Sequence, residues 1–90
     1  MKYNYKILKQ KQYIKGDKFE TLETTDLGDN YTSENVDIAT SPETMRFFRN
    51  MGSKQQIKRE CKNGLEIIKI YSYSTDKTLR NVHIFTEIGD

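Results

Sequence analysis

The side chains that could carry out catalysis are few. The chain has one histidine, His83, and one cysteine, Cys61, among its 90 residues. The alternating pattern around His83 places it on one face with Phe85 and Glu87, where it could act as a general base. A lone strand histidine is more typical of a surface or half-buried side chain, and Cys61 would react only if a neighbour lowered its pKa. We expect no catalytic residue, and we expect Cys61 to be a small buried hydrophobe.

Metal and cofactor sites have no better support in the sequence. One histidine and one cysteine cannot build a zinc site unaided, and the segment "DLGDN" lacks the ligand spacing of a calcium loop. The five glycines are isolated from one another, so they form no phosphate-binding loop. The sequence therefore predicts a non-enzymatic protein with no metal and no cofactor.

Length and composition indicate a single small domain over residues 1–90. A chain of this size buries about two-thirds of its unfolded surface, so its core is thin, and self-association as a homodimer would bury more. The hydrophobic fraction is 34% and the charged fraction 31%, but six tyrosines and four phenylalanines argue for an ordered core. There is no apolar run of a signal peptide or a membrane span. We expect a cytoplasmic protein with no membrane contact.

Charge is distributed in blocks along the chain. Residues 1–18 carry six lysines and one aspartate, whereas residues 19–45 carry seven acids and no base. Residues 46–80 carry nine bases and three acids. Such blocks either neutralise one another in the fold or create opposed surfaces that attract charged partners.

The first third of the chain is predicted to form a β-hairpin over residues 2–25. The segment "KYNYKILKQ" alternates apolar and polar residues, with Leu8 out of phase, which indicates a bulge or twist. Gly16 and Asp17 match a two-residue turn, and "KFETLETT" supplies the second strand.

Residues 26–40 have no clear periodicity. Glycine, aspartate, asparagine and serine dominate this acidic segment, and these residues favour turns and local side-chain to backbone hydrogen bonds. Val36 and Ile38 alternate with acids and are compatible with a short strand. The segment is therefore either an irregular functional loop or a short strand.

A short helix is predicted over residues 41–51. Ser41 followed by Pro42 matches a helix start, as does the box formed by Thr40 and Glu43. Gly52 matches the left-handed residue that ends a helix. The pattern predicts a lid on the sheet, which packs through the residues Met45, Phe48 and Met51 and leaves Arg46 and Arg49 free for a partner.

The last third is predicted to form a hairpin or three-strand meander over residues 55–88. Asn63-Gly64 is a strong hairpin turn, and it pairs Cys61 with Glu66, Arg59 with Ile68 and Ile57 with Ile70. The strand "LEIIKIYSYS" is apolar on both faces, which is typical of a central strand or a dimer interface. A helix beginning at Ser53 is the alternative for residues 53–60, because Ser53 and Gln56 match a capping box.

These elements predict an α+β fold: a small antiparallel sheet of about four to five strands, from two hairpins, with one short helix on one face. The favoured function is contact with a protein partner, and small size with many Lys, Asn, Ile and Tyr residues is typical of phage and mobile-element accessory proteins. The alternative is single-strand nucleic-acid binding on a sheet face that carries Tyr71, Tyr73 and also Tyr3 and Tyr5. The residues predicted to contact a partner or nucleic acid are Arg46, Arg49, Lys58, Arg59, Tyr71 and Tyr73.

Each function predicts a different surface. Nucleic-acid binding predicts that Arg46, Arg49, Lys58 and Tyr73 share one face. Protein binding predicts an exposed apolar patch, or an acidic face made from residues 20–37. An enzyme would place His83 in a pocket beside Glu87 or Cys61.

Overall fold

A computed structural model describes residues 2–89 as a mainly antiparallel sheet with two short helices. The strands are β1 (Lys2–Lys11), β2 (Glu20–Asp26), β3 (Tyr31–Thr32), β4 (Lys54–Lys62), β5 (Leu65–Tyr73) and β6 (Leu79–Ile88), and the helices are α1 (Ser33–Ala39) and α2 (Pro42–Asn50). The expected α+β class is confirmed, but the sheet is larger than expected and a second helix is present. No helix within residues 2–89 has the length and apolar character needed to cross a membrane.

The sheet has the strand order β2-β1-β6-β5-β4, with β3 paired to the start of β1. The central contact joins the first strand to the last: β1 and β6 are antiparallel from Lys2 opposite Ile88 to Lys11 opposite Leu79. This pairing unites the N-terminal hairpin with the C-terminal meander in one sheet.

The C-terminal meander is confirmed, and so is its register. Asn63 and Gly64 both have positive φ, at 54° and 78°, as a two-residue hairpin turn requires. The three expected pairs are all present, with Cys61 opposite Glu66, Arg59 opposite Ile68 and Ile57 opposite Ile70. Lys54–Lys62 is a strand, so the alternative helix for residues 53–60 is wrong.

The N-terminal hairpin is present, but its turn differs from the expectation. A loop over residues 12–19 separates β1 from β2. Within it the Asp17 N–H donates to the Ile14 carbonyl at 3.0 Å, so Gly16, with φ of 88°, is the third residue of the turn. The expected irregularity also exists, because the register of β1 with β2 shifts between Lys9 and Gln10.

Residues 26–40 hold an element that the sequence interpretation missed. Thr32 caps α1: its Oγ1 accepts from the Asn35 N–H at 3.3 Å, and the Asn35 Oδ1 accepts from the Thr32 N–H at 2.9 Å. Val36 is buried, and both it and Ile38 lie in this helix, so the short strand that was one alternative for these two residues is not formed.

Helix α2 begins as expected but covers less of the sheet than expected. The Ser41 Oγ accepts from the Thr44 N–H at 3.2 Å, and Pro42 opens the helix. Met45 packs against the core, but Phe48 is 38% exposed and Met51 is 70% exposed. The expected lid contact of Met51 is wrong, because Met51 lies at the helix C-cap, where the chain turns towards β4.

The core lies between the helices and one face of the sheet. Its buried members are Tyr3, Val36, Ile68, Ile70 and Phe85, with Met45 and Ala39 packed against them. Ile68 has no exposed surface, which makes it the most completely enclosed side chain of the cluster.

We expect Ile68→Ala to lower the free energy of unfolding by about 2–5 kcal/mol, because it leaves a cavity in a thin core. Ile14→Ala is the matched control, since Ile14 lies in the β1–β2 loop and is 68% exposed. Its effect should stay within about 0.5 kcal/mol. Urea unfolding followed by circular dichroism measures both, and equal losses would contradict the assigned core.

Candidate binding surfaces

Strand alternation divides the sheet into a helix side and an open face. Residues opposite one another in an antiparallel pair lie on the same side. Ile57 and Arg59 lie opposite the core residues Ile70 and Ile68, so they belong to the helix side. Lys58 lies opposite Lys69 and belongs to the open face, which neither helix covers.

The six partner-contact residues predicted from the sequence are divided between these two sides. Arg46, Arg49 and Arg59 lie on the helix side, and Lys58, Tyr71 and Tyr73 lie on the open face. All three arginines are exposed. Arg59 also forms an ion pair, with its Nη1 3.7 Å from the Glu66 Oε1. The arrangement that nucleic-acid binding would predict, with Arg46 and Arg49 on the same face as Lys58 and Tyr73, is not present, because α2 packs on the opposite side of the sheet.

An exposed apolar surface lies along α2 and the adjoining strand. It consists of Phe47, Phe48, Met51 and Ile57, and we call it the α2 surface. Phe47 is 60% exposed, and its ring centroid lies 5.5 Å from that of Phe48 in an edge-to-face arrangement. Apolar side chains grouped on the surface of a small domain are typical of a contact site. The exposed apolar patch expected for protein binding is therefore present.

A cavity of about 190 Å³ lies between α2 and the sheet. Its lining includes Met45, Phe48, Ile70, Phe85 and His83. Apolar side chains dominate this lining, and the volume is similar to that of a cavity that holds one benzene molecule, about 150 Å³. The cavity begins beside the α2 surface, because Phe48 belongs to both.

His83 is held in this cavity by a tyrosine and not by an acid. Its Nδ1 lies 2.7 Å from the Tyr5 hydroxyl, and the Tyr5 ring stacks on Phe85 with centroids 4.4 Å apart. Burial lowers the pKa of His83, and burial likewise raises the pKa of Tyr5. Both shifts favour the neutral forms, so this pair is uncharged at neutral pH.

His83 is separated from the two residues that the sequence analysis named as its partners in an enzyme, Glu87 and Cys61. Neither Glu87 nor Cys61 lines the cavity that contains His83. Cys61 is exposed, so its expected burial is wrong: it lies at the far end of β4 from α2, beyond the reach of the helix. Within residues 2–89 no three of the His, Cys, Asp and Glu side chains are grouped to hold a metal ion.

The open face carries an aromatic cluster around Arg80. The Arg80 guanidinium lies 3.9 Å from the Phe19 ring centroid and 4.9 Å from that of Tyr71. It also donates to the Tyr73 hydroxyl at 3.2 Å and to the Gln10 Oε1 at 2.6 Å. Arg80 lies on the open face because it is opposite Tyr73, whereas Phe19 belongs to the β1–β2 loop and no pattern in the sequence predicts its contact with Arg80.

Tyr3 and Tyr5 do not extend this cluster. Tyr3 is buried in the core, where its hydroxyl donates to the Glu66 Oε1 at 3.4 Å. Tyr5 lies on the helix side, opposite Phe85. Their expected place beside Tyr71 and Tyr73 is wrong. Tyr5 lies opposite Phe85 and Tyr71 lies opposite Val82, and these two residues of β6 point to opposite faces of the sheet.

The charge blocks of the sequence are only partly balanced by the fold. The acids of β2 lie directly opposite lysines of β1: Asp26 opposite Lys6, Glu23 opposite Lys9 and Glu20 opposite Lys11. The open face of β4 and β5 carries Lys54, Lys58, Lys62 and Lys69 with one acid, Glu60. Glu60 lies 3.6 Å from Lys58 and 3.8 Å from Lys69. The β4 side of the sheet therefore keeps an excess of positive charge.

Comparison of the chain with known protein families, with curated proteins and with solved structures finds no match.

We expect the stability of the protein to fall as the pH drops below about 6.5, because the unfolded chain then binds a proton at His83 that the folded chain does not. Burial holds the His83 pKa below its ordinary value of 6.5, so the unfolded chain takes up the proton first as the pH falls. The stabilisation is thus fully present above pH 6.5 and is lost as the pH approaches the lower folded pKa.

Urea midpoints of protein without a histidine tag measure this effect, because the chain contains no other histidine. The His83→Gln variant is the control, and its stability should change much less over the same interval. An equal fall in both proteins would show that His83 is not the group responsible.

Proposed function

We propose that this chain is a small non-enzymatic accessory protein that binds a protein partner through the α2 surface. The observation that carries the proposal is the exposure of Phe47 and Met51, at 60% and 70%, on a helix that has no buried residue. Burying such side chains against a partner contributes favourable free energy of roughly 25 cal/mol per Å² of apolar area.

The composition of this surface supports a protein partner of particular chemistry. Aromatic residues, methionine and arginine are enriched in protein interfaces, and Arg46 and Arg49 flank the exposed apolar side chains. A guanidinium forms bidentate hydrogen bonds with a carboxylate. The partner that fits is therefore a segment with apolar side chains and flanking acids.

A binding role is also consistent with the chemistry around His83. Its hydrogen-bond partner is a neutral tyrosine, and the acid and thiol that would assist catalysis lie elsewhere in the fold. We propose a cytoplasmic protein of the phage or mobile-element type, on the basis of its small size and its composition.

We expect the double variant Phe47→Ser, Met51→Ser to lose a partner that the native protein captures from a lysate of its own cells. Both side chains are exposed, so the change should remove apolar contact area while leaving the fold intact. Quantitative mass spectrometry of tagged-protein capture measures the loss, which should exceed about tenfold if these residues are central to the interface.

The matched control is the double variant Tyr13→Ser, Ile14→Ser, which removes similar apolar area from the β1–β2 loop. This control should capture the partner as the native protein does. Equal capture by all three proteins would contradict the α2 surface, and capture of the chain itself would assign the surface to a homodimer.

The open face supports a second candidate function, the binding of single-stranded nucleic acid. Tyr71 and Tyr73 are stacked with ring centroids 6.3 Å apart, beside the lysines of β4 and β5. Aromatic rings next to cationic side chains provide base stacking and phosphate contact. The counter-observation is that Arg80 already lies over the Tyr71 ring and binds the Tyr73 hydroxyl.

If four lysines contact phosphates, we expect affinity for a labelled single strand to fall about 50-fold between about 50 and about 200 mM salt. Fluorescence anisotropy measures the affinity, and Lys58→Glu should weaken it while Arg46→Glu, on the helix side, should not. Affinity that is insensitive to salt or equally sensitive to both variants would reject this candidate.

A further inference from the structure

The free edge of β4 carries backbone groups with no partner strand. This strand is the last in the sheet order, and within residues 2–89 its strand partner is β5 alone. The two residues that flank a two-residue turn, here Lys62 and Leu65, form a hydrogen-bonded pair, and hydrogen-bonded pairs alternate with non-hydrogen-bonded pairs along the hairpin. In a non-hydrogen-bonded pair, the β4 residue directs its N–H and C=O groups away from β5. The residues that direct their N–H and C=O groups outward are therefore Gln55, Ile57, Arg59 and Cys61.

This edge is long and regular enough to accept another strand. It spans Lys54–Lys62 without a bulge in its register, and among the described residues no turn or loop backbone group bonds to its outward positions. An unpaired edge of this kind is a template for strand addition.

The two sides of the β4 edge differ in chemistry. Lys54, Lys58 and Lys62 project on the open face, where Glu60 is the acid of the strand. On the helix side, Ile57 is 36% exposed and lies opposite Ile70, which lines the same cavity as Phe48 of α2. Because side chains of an added strand alternate between the two sides, every second residue would meet lysines. The others would lie on the helix side, where β4 presents Ile57 and Cys61 together with Gln55 and Arg59.

The lysines also decide against pairing of two β4 edges. Two copies would bring lysine rows together, and lysine on an edge strand is a known device against such association. The opposite edge, β2, has its acids already opposite the lysines of β1. The open face at β4 therefore carries more lysines than acids.

We infer that the β4 edge binds an extended segment of a partner protein in which acidic residues alternate with apolar residues. The inference rests on the proposed function and deepens it by naming the binding mode and the pattern of the partner. The acids contact the lysines of the open face, the apolar residues extend the α2 surface, and the backbone adds a strand to the sheet.

A pair of peptides tests the pattern. One alternates glutamate and valine over seven residues, and the other has the same composition with the glutamates in one block and the valines in the other. NMR titration should give about tenfold tighter binding for the alternating peptide, with shifted and protected amides at Gln55, Ile57 and Arg59. Equal binding of the two peptides would overturn the inference.

A pair of variants at one position tests the strand addition itself. Arg59→Ala removes the side chain and its contact with Glu66 but keeps the backbone N–H. Arg59→Pro removes the outward N–H as well, and proline is tolerated where an edge strand faces solvent. We expect about tenfold weaker peptide binding by the proline variant than by the alanine variant. Equal affinities would overturn the strand mode.

A charge variant keeps the test independent of any effect of proline on folding. Lys58→Glu with Lys62→Glu should abolish the preference for the alternating peptide, and an unchanged preference would overturn the inference.

Two further measurements test other occupants of the β4 edge. Tighter binding of a single-stranded oligonucleotide to the same amides would assign the edge to nucleic acid and overturn the inference. Sedimentation of the protein alone checks for a second copy as the occupant, since self-association removed by the charge variant would also overturn the inference.

The outcome is separable from that of the proposed function. If binding of the captured partner requires Phe47 and Met51 but is equal for the Arg59→Pro and Arg59→Ala variants, the α2 surface is supported as the binding site and strand addition at β4 is contradicted. If the alternating peptide binds but no partner depends on the α2 residues, the proposed function fails and the edge specificity remains.

Discussion

The pairing of β1 with β6 is the contact on which the rest of the structure depends. It joins residues 2–11 to residues 79–88, so the two ends of the chain meet in the centre of the sheet. Without it the N-terminal hairpin and the C-terminal meander would be separate, and an isolated two-stranded hairpin is only marginally stable. The pairing also places Tyr3 and Phe85 on the same face, where α1 and α2 cover them. The core therefore forms only when residues far apart in the sequence come together, and closing such a long loop carries a large entropic cost.

The helices complete only one face, and this asymmetry produces the two candidate surfaces. Helix α1 contributes the buried Val36, whereas α2 contributes the half-buried Met45 and leaves its aromatic residues exposed. A chain of 90 residues cannot enclose every apolar side chain. The open face is covered by long side chains instead, with Arg80 lying across Phe19 and bonded to Tyr73. Its centre is still protected, since Val82 is almost completely buried there.

Local signals in the sequence were sufficient where one short motif determines the geometry. Asn63-Gly64 set the register of β4 and β5, and Ser41-Pro42 set the start of α2. Helix α1 was missed because its cap uses Asn35 in place of the usual Glu or Gln, and because it buries a single residue. The candidate surfaces were harder to predict. Strand alternation places Tyr71 and Ile70 on opposite faces of β5. Which of the two faces the helices cover depends on long-range packing, so the sequence did not determine whether the α2 arginines lie on the same side as Lys58 and Tyr73.

Charge and backbone geometry reinforce each other at β4. The first two charge blocks of the sequence meet in the β1–β2 hairpin, where opposite charges lie across from one another. The third block has no acidic strand beside it, because β4 is at the end of the sheet and β5 contributes Lys69 to the same face. Edge lysines discourage pairing between copies of the protein, and the same lysines favour an acidic strand. Under the proposed binding mode, a single arrangement would therefore both oppose self-association through this edge and favour an acidic strand over other segments.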